Sequence, residues 1–285
     1  MNVLITGATG FIGSSICAAL AASGHSVVRA VRKPTQATDI AVDFECDTHA
    51  NDWLPRLKGI DSVVNAVGLL GGSEQRMMAV HRDAPAALAN ACATAGIGKF
   101  VQLSALGVDS GLSTRYFRSK LAGEQAVRAA LPSAHIVRPS IVFGYGGDSS
   151  EMFMQLTRLP VLMLPQQGKM LVQPVHVDDV CGAVVKLLDL ETPQTLAALG
   201  QAPTTMGQYL ASLAQQLGRR APLILAMPMF LARSSAALMQ YFPQHVWTPE
   251  TLAMLLAGSP GSASQLTALL GRPPRAVERF IERSL

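Results

Sequence analysis

An α/β chain, with a doubly wound parallel sheet followed by a small and mainly helical C-terminal region, is predicted by three observations. From residue 1 to about residue 145, short β-branched runs alternate with longer helical patterns, the order expected of successive βαβ units. Hydrophobic residues make up 49% of the chain and charged residues 15%, which excludes disorder and suits strands buried on both faces. The first strand runs directly into a turn with glycines three residues apart, and that turn directly into a helix.

In chain order, strands are expected over 2–6, 26–31, 40–44, 62–66, 100–104 and 135–138. Helices fill the gaps. The first covers 10–23 and stops at Gly24, and another covers roughly 81–95 and stops at Gly96, each glycine suiting the left-handed residue that ends a helix. Beyond Gly144, Pro160, Pro165 and Pro174 break the chain before a helix over about 178–188. Residues 205–216, a Pro- and Met-rich stretch over 222–229, then 249–256 and 274–283 read as short helices over one end of the sheet. The expected division is a dinucleotide-binding core over 1–145 and a substrate or lid region over 146–285, with 174–200 returning to the core.

The net charge of +4 is scattered, with no basic run, so it suits an anionic cofactor and excludes nucleic acid as the expected partner. Cys17, Cys46, Cys92 and Cys181 lie far apart with no metal-ligand spacing, so neither a metal site nor a disulfide framework is expected and a reducing, cytoplasmic compartment is. The first seven residues enter a strand without a basic segment followed by an apolar one, so no signal peptide is expected. The apolar stretch 221–232 contains two prolines and is too short to span a bilayer. Its expected roles are membrane-surface association, peripheral to an inner membrane, or cover for a substrate pocket. The runs 222–229 and 230–242 are expected to form a lid or a docking surface.

The turn reads Thr6-Gly7-Ala8-Thr9-Gly10-Phe11-Ile12-Gly13. Its glycines bring bare backbone close to a phosphate, and the helix start adds N–H donors and a positive dipole, which makes this a Rossmann-type dinucleotide site. At the end of the second strand, Val28-Arg29-Ala30-Val31-Arg32-Lys33 offers positive charge where an NAD site offers a carboxylate to the ribose hydroxyls. Arg32, assisted by Arg29 or Lys33, is therefore expected to pair with a 2′-phosphate, and NADP(H) to be preferred over NAD(H). Asp47 either accepts the adenine amino group or caps a turn or helix. Ala66, Val67 and Gly68, which follow Asn65 at the end of the fourth strand, and Pro139 lie along the expected cofactor path.

Ser104 closes the fifth strand, and Tyr116 and Lys120 are four apart, on one face of a helix. That set suits hydride-transfer chemistry. Lys120 lowers the phenol pKa and holds the nicotinamide ribose, Tyr116 gives or takes the proton, and Ser104 steadies a carbonyl oxygen.

Together, T-G-x-x-G-x-x-G, an upstream serine and Y-x-x-x-K resemble the short-chain dehydrogenase/reductase superfamily. Val137-Arg138-Pro139-Ser140, Val142-Phe143-Gly144 and Gln173-Pro174-Val175-His176-Val177-Asp178-Asp179-Val180 resemble its extended and atypical, epimerase-like branch. Leu103-Ser104-Ala105-Leu106-Gly107 and Tyr116-Phe117-Arg118-Ser119-Lys120-Leu121-Ala122-Gly123-Glu124 are similar to the group containing the dehydrogenase-like accessory subunit of respiratory complex I and its bacterial relatives. The resemblance weakens after about residue 200. It implies an NADPH-dependent oxidoreductase acting on an apolar carbonyl or quinone-like substrate. It also implies an alternative, because the mitochondrial subunit is understood as a structural component that holds NADPH: a non-catalytic subunit or assembly factor of a larger protein complex. A nucleotide-sugar epimerase or dehydratase shares the branch, and Arg32 argues against the retained NAD that it requires.

Arg138 is expected to pair with a carboxylate at a strand end, and Asp178 or Asp179 to cap a helix. His176, alone between valines, reads as structural or catalytic. The methionines around Met152, Met154, Met163 and Met170 read as core filling, or as an adaptable apolar wall if they face a cleft.

Overall fold

The computed structural model describes residues 1–239, 247–258 and 260–282. Two compact units emerge, one of residues 1–139 and 180–197, the other of residues 140–179 and 198–285.

In the first unit the order is β1 (Asn2–Thr6), α1 (Phe11–Ala22), β2 (Ser26–Val31), β3 (Ile40–Ala41), α2 (Ala50–Trp53), β4 (Ser62–Asn65), α3 (Glu74–Met78), a π-helical turn (Ala79–Asp83), α4 (Ala84–Thr94), β5 (Lys99–Leu103), α5 (Arg115–Ala130) and β6 (His135–Pro139). The sheet runs β3-β2-β1-β4-β5-β6, with a later strand at its edge. Each of these neighbouring pairs is parallel. The order reverses between β1 and β4, and such a switch point opens a crevice beyond the carboxyl ends of the strands. Val3, Leu4, Ile5, Val63, Val64, Phe100 and Val101 are fully buried, as a parallel sheet covered on both faces requires.

The second unit holds β7 (Val142–Phe143), α6 (Asp148–Leu156), β8 (Val161–Pro165), β9 (Leu171–Val172) and β10 (Val175–His176). The chain then forms α7 (Val177–Leu187), which carries it back to the first unit, and β11 (Thr195–Ala198), the edge strand of the large sheet. It ends with β12 (Thr204–Thr205), α8 (Met206–Gln216), β13 (Leu223–Met227), α9 (Met229–Met239), α10 (Pro249–Ala257) and α11 (Ser264–Leu270). The core of this unit gathers Phe143, Phe153, Met170, Met206, Tyr209 and Phe280, with Met152 and Met154 packed against it. Met163 is instead exposed.

Four expectations change. The third strand is paired only over Ile40–Ala41, because the Asp47 carboxylate and the Asp43 carbonyl draw residues 43–47 into a turn. The helix expected from residue 81 begins at Glu74, capped by the Ser73 hydroxyl, and passes through the π turn. Residues 222–229 contribute a strand, β13, which pairs parallel with β8, because Leu223-Ile224-Leu225 can share a ladder and half-bury Ile224. In place of a helix over 274–283 there is one 3₁₀ turn, Val277–Arg279, because the Arg275 amide is drawn to the Asp179 carboxylate. Residues 240–242 of the run 230–242, and Arg283 of the run 274–283, lie outside the described residues.

Candidate functional site

Thr6 ends β1 fully buried, its hydroxyl donating to Asn65 Oδ1 at 2.6 Å. The chain then turns at Gly7, whose φ of +71° excludes most side chains and whose Cβ would meet the Ala66 carbonyl at 2.9 Å. A Cβ at Gly13 would come within 2.0 Å of the Gly7 carbonyl oxygen, so α1 packs directly on the turn. Gly10 caps α1 with no side-chain acceptor and no acidic residue in the first turn, while Thr9 and Gly10 are exposed and Phe11 and Ile12 half-buried. The first N–H groups of α1 are thus uncapped and electropositive, which fits a diphosphate.

Arg32, directly after β2, is exposed and makes no ion pair among the described residues. Arg29 differs. Its Nε and Nη2 donate to the two oxygens of Asp39 at 2.9 and 2.8 Å, and Arg29 holds that carboxyl well below the usual range. Arg29 is therefore committed to the strand edge, and Lys33 is left as the exposed neighbour of Arg32. Asp47 accepts two hydrogen bonds from Arg56, at 2.7 and 3.2 Å, and one from the Asp43 amide, so it braces the turn after β3. Ala66 and Val67 are half-buried and Gly68 exposed just beyond β4, and Pro139 is buried at the end of β6.

Helix α5 starts at Thr114, whose hydroxyl accepts the Phe117 amide at 3.1 Å. Its buried Lys120 Nζ donates to Leu103 O at 3.2 Å and lies 3.5 Å from Val67 O, which brings the ammonium to the carboxyl ends of β4 and β5. Burial lowers Lys120 to about 8, against the opposing pull of Glu124. The half-buried Tyr116 is pushed up to about 12 by desolvation alone, so in the free protein the phenol keeps its proton and Lys120 does not lower it as expected. Ser104, one residue beyond Leu103, is buried, and its hydroxyl has no hydrogen-bond partner among the described residues. A buried hydroxyl left unpaired is an uncommon state that a ligand oxygen would relieve.

Sequence reasoning missed the polar network behind this trio. Asn65 Nδ2 donates to Gln102 Oε1 at 2.9 Å, and Gln102 Nε2 donates to Leu103 O at 3.3 Å, the same carbonyl that accepts Lys120. His81, in the π turn, accepts the Leu69 amide at Nε2 and faces Ser119 Oγ with Nδ1 at 2.8 Å. Since the amide must donate, the proton sits on Nδ1 and goes to Ser119, whose hydroxyl donates on to Tyr116 O. Burial first, and Lys120 second, push His81 down to about 2, which keeps it neutral. Its place on the π turn, a feature frequent at functional sites, is visible only in the structure.

Arg138 pairs with the buried Glu124 at 2.7 Å and also with Asp109, which joins β6 to α5. In the second unit His176 is buried between Phe143 and Phe280, accepts the Asp178 amide at Nδ1 and meets Arg275 Nη1 with Nε2, a set of structural contacts. Asp178 and Asp179 lie in the first turn of α7 and pair with Arg275 and Arg272, tethering the segment near residue 275.

A glycine turn at the switch point, an uncapped helix and a Tyr-x-x-x-Lys helix beside it define a nicotinamide-dinucleotide-binding protein of the extended short-chain dehydrogenase/reductase type. The chain belongs to the NAD dependent epimerase/dehydratase family, whose sequence pattern matches residues 3–197. It is 35% identical over 191 residues to a ceramide reductase of Caulobacter vibrioides, covering 64% of this chain and 59% of that protein. It is 27% identical over 252 residues to NADH dehydrogenase [ubiquinone] 1 alpha subcomplex subunit 9 of Arabidopsis thaliana, covering 82% of this chain and 62% of that one. The alignments thus span about three fifths of the length of these relatives. In fold, a human epimerase family protein solved with NADPH superposes with a TM-score of 0.74 at 20% identity, covering 100% of both chains.

Proposed function

We propose that the protein is an NADPH-dependent reductase of an apolar carbonyl or quinone-like compound. The observation that carries this reading is the buried Ser104 hydroxyl just beyond β5, without a partner among the described residues, with Lys120 hydrogen-bonded to the adjacent Leu103 carbonyl. Ser104 donates to the substrate oxygen, and Tyr116, protonated in the free protein, delivers a proton to that same oxygen. Lys120 has three N–H donors, and its two carbonyl contacts leave one for a ribose hydroxyl. When bound, NADPH supplies the hydride. Thr6, Gly7, Thr9, Gly10, Phe11, Ile12 and Gly13 hold the diphosphate, and Ala66, Val67, Gly68 and Pro139 border the rest of the dinucleotide. Arg32 takes the 2′-phosphate, and its exposure without an ion pair among the described residues supports NADP(H) over NAD(H). Asp47 remains a candidate for adenine only through a lone pair that Arg56 and Asp43 leave open.

A second reading, a non-catalytic NADPH-holding subunit of a larger complex, is favoured by the alignment over 82% of the chain with the Arabidopsis subunit. One experiment separates the two. The purified protein is titrated with NADPH and NADH, then the bound NADPH is followed against a carbonyl and quinone panel. Acceptor-dependent oxidation that Tyr116→Phe abolishes, with NADPH binding retained, supports the reductase; tight binding with no turnover supports the subunit. Arg32→Ala should weaken NADPH by roughly ten- to a hundredfold, the effect of a charge-assisted pair of about 1.5–3 kcal/mol, and leave NADH nearly unchanged. Equal losses would remove the 2′-phosphate assignment.

A further inference from the structure

The pair β8 and β13 departs from the usual condition of parallel strands, which are covered on both faces. On one side Leu162 is buried, and Ile224 reaches Gly207, where a Cβ would lie 2.9 Å from Ile224 Cδ1. On the other side Val161 and Met163 (each 45% exposed) stand in register with Leu223 (61%) and Leu225 (43%). Four large apolar side chains thus form a two-by-two block facing solvent. Beyond the block, α9 buries Ala232 and Ala236 and exposes Phe230 and Leu238.

The charges of the segments that carry and flank the strand pair indicate what fits the block. Residues 157–177 and 198–248 contain Arg158, Lys169, Arg219, Arg220 and Arg233 and no aspartate or glutamate. Three of these arginines line one surface concavity of about 340 Å³ with Thr157, Leu159 and Pro160. Pro160 O accepts the Leu223 amide at 2.9 Å, so the concavity adjoins the start of the strand pair. Arg219 Nη1 is fixed there by Met154 O at 2.8 Å and Thr157 Oγ1 at 2.7 Å, while Arg158 and Arg220 are exposed and make no ion pair among the described residues.

We propose that the exposed face of β8 and β13, with the arginine concavity at its edge, docks on an anionic phospholipid bilayer. The concavity takes a lipid phosphate, and the four apolar side chains enter the boundary between headgroups and acyl chains. A second copy of the chain is a poor occupant, because a two-fold contact would bring two acid-free cationic rims together. The inference does not depend on the redox reading.

The test is flotation of the full chain with vesicles of phosphatidylcholine alone and of phosphatidylcholine with phosphatidylglycerol. The wild type should float with the anionic vesicles and not the neutral ones. Arg158→Glu with Arg220→Glu should weaken anionic binding by at least roughly thirtyfold, the equivalent of about 1 kcal/mol for each of two arginines. Met163→Glu with Leu225→Glu should abolish it. An unchanged thermal unfolding midpoint shows that each variant is folded, so the readout needs neither cofactor nor turnover. Equal binding to both vesicles, no binding, or variants that bind like the wild type would overturn the proposal. So would a concentration-dependent dimer that Met163→Glu with Leu225→Glu dissolves, because the face would then belong to a second copy.

Discussion

Two sets of parallel strands in this chain live under opposite conditions. In β1, β4 and β5 almost every side chain is buried, whichever way it points, whereas β8 is buried only at Leu162 and Pro165 and β13 buries no residue fully, with leucine, valine and methionine on the exposed side. Both sets read in sequence as short apolar runs. The contrast teaches that apolarity fixes a strand's capacity for burial, and only the neighbours supplied by the fold decide how many of its faces are used. In the first unit helices cover both faces, and Ser104 and Lys120 gather at the carboxyl ends of the strands. In the second, a face equally apolar is left to solvent.

The largest expected effect comes from filling the contacts that hold the first unit closed. A Cβ at Gly13 would lie 2.0 Å from the Gly7 carbonyl oxygen, and one at Gly123 would lie 1.9 Å from the His81 carbonyl oxygen. Both obstacles are backbone. Gly13→Ala and Gly123→Ala should therefore each destabilise by about 3 kcal/mol or more, read as a lower urea midpoint. Gly13→Ala should also lose NADPH binding. A variant with wild-type midpoint and affinity would mean that the turn yields freely.

Next in size is the buried amine. Lys120 titrates near about 8 in the folded protein, well below the ordinary lysine value of 10.5, chiefly through desolvation, with Glu124 acting the other way. Below about 8 the ammonium is charged in both states, and the fold bears its burial in full. Between about 8 and 10.5 the unfolded chain holds more protons, so the stability due to this residue rises with pH, by at most about 1.4 kcal/mol per unit. Comparing the cofactor-free protein with Lys120→Met across that window isolates it. The wild type should gain on the variant as pH rises; parallel curves would mean that the amine is solvated.

Much of the first unit was legible because its signals are local. Gly7, Gly10 and Gly13 fix the turn, Gly24 ends α1, and Tyr116 and Lys120 share a face by spacing alone. What was illegible depends on distant partners. That Arg29 is spent on Asp39, leaving Arg32 exposed and without an ion pair among the described residues, follows from where residue 39 returns. His81 acts through Leu69 and Ser119, 12 and 38 residues away, and the π turn that carries it shows only in the structure. The strand β13 was hidden because its partner β8 lies about sixty residues earlier, beyond any local pattern.

The smallest expected effects put the two sets of strands side by side. Val64→Thr, at a fully buried position of β4, places a hydroxyl where it finds no water and should destabilise by about 1–3 kcal/mol. Leu223→Thr, at a 61% exposed position of β13, keeps a good strand former and loses little burial, so its urea midpoint should stay within about 0.5 kcal/mol of the wild type. Its vesicle affinity should nevertheless fall, since the lost leucine is one of the four that face outward. A destabilisation of Leu223→Thr equal to that of Val64→Thr would mean that the β8 and β13 face is already covered in the free protein, and the two sets of strands would no longer differ.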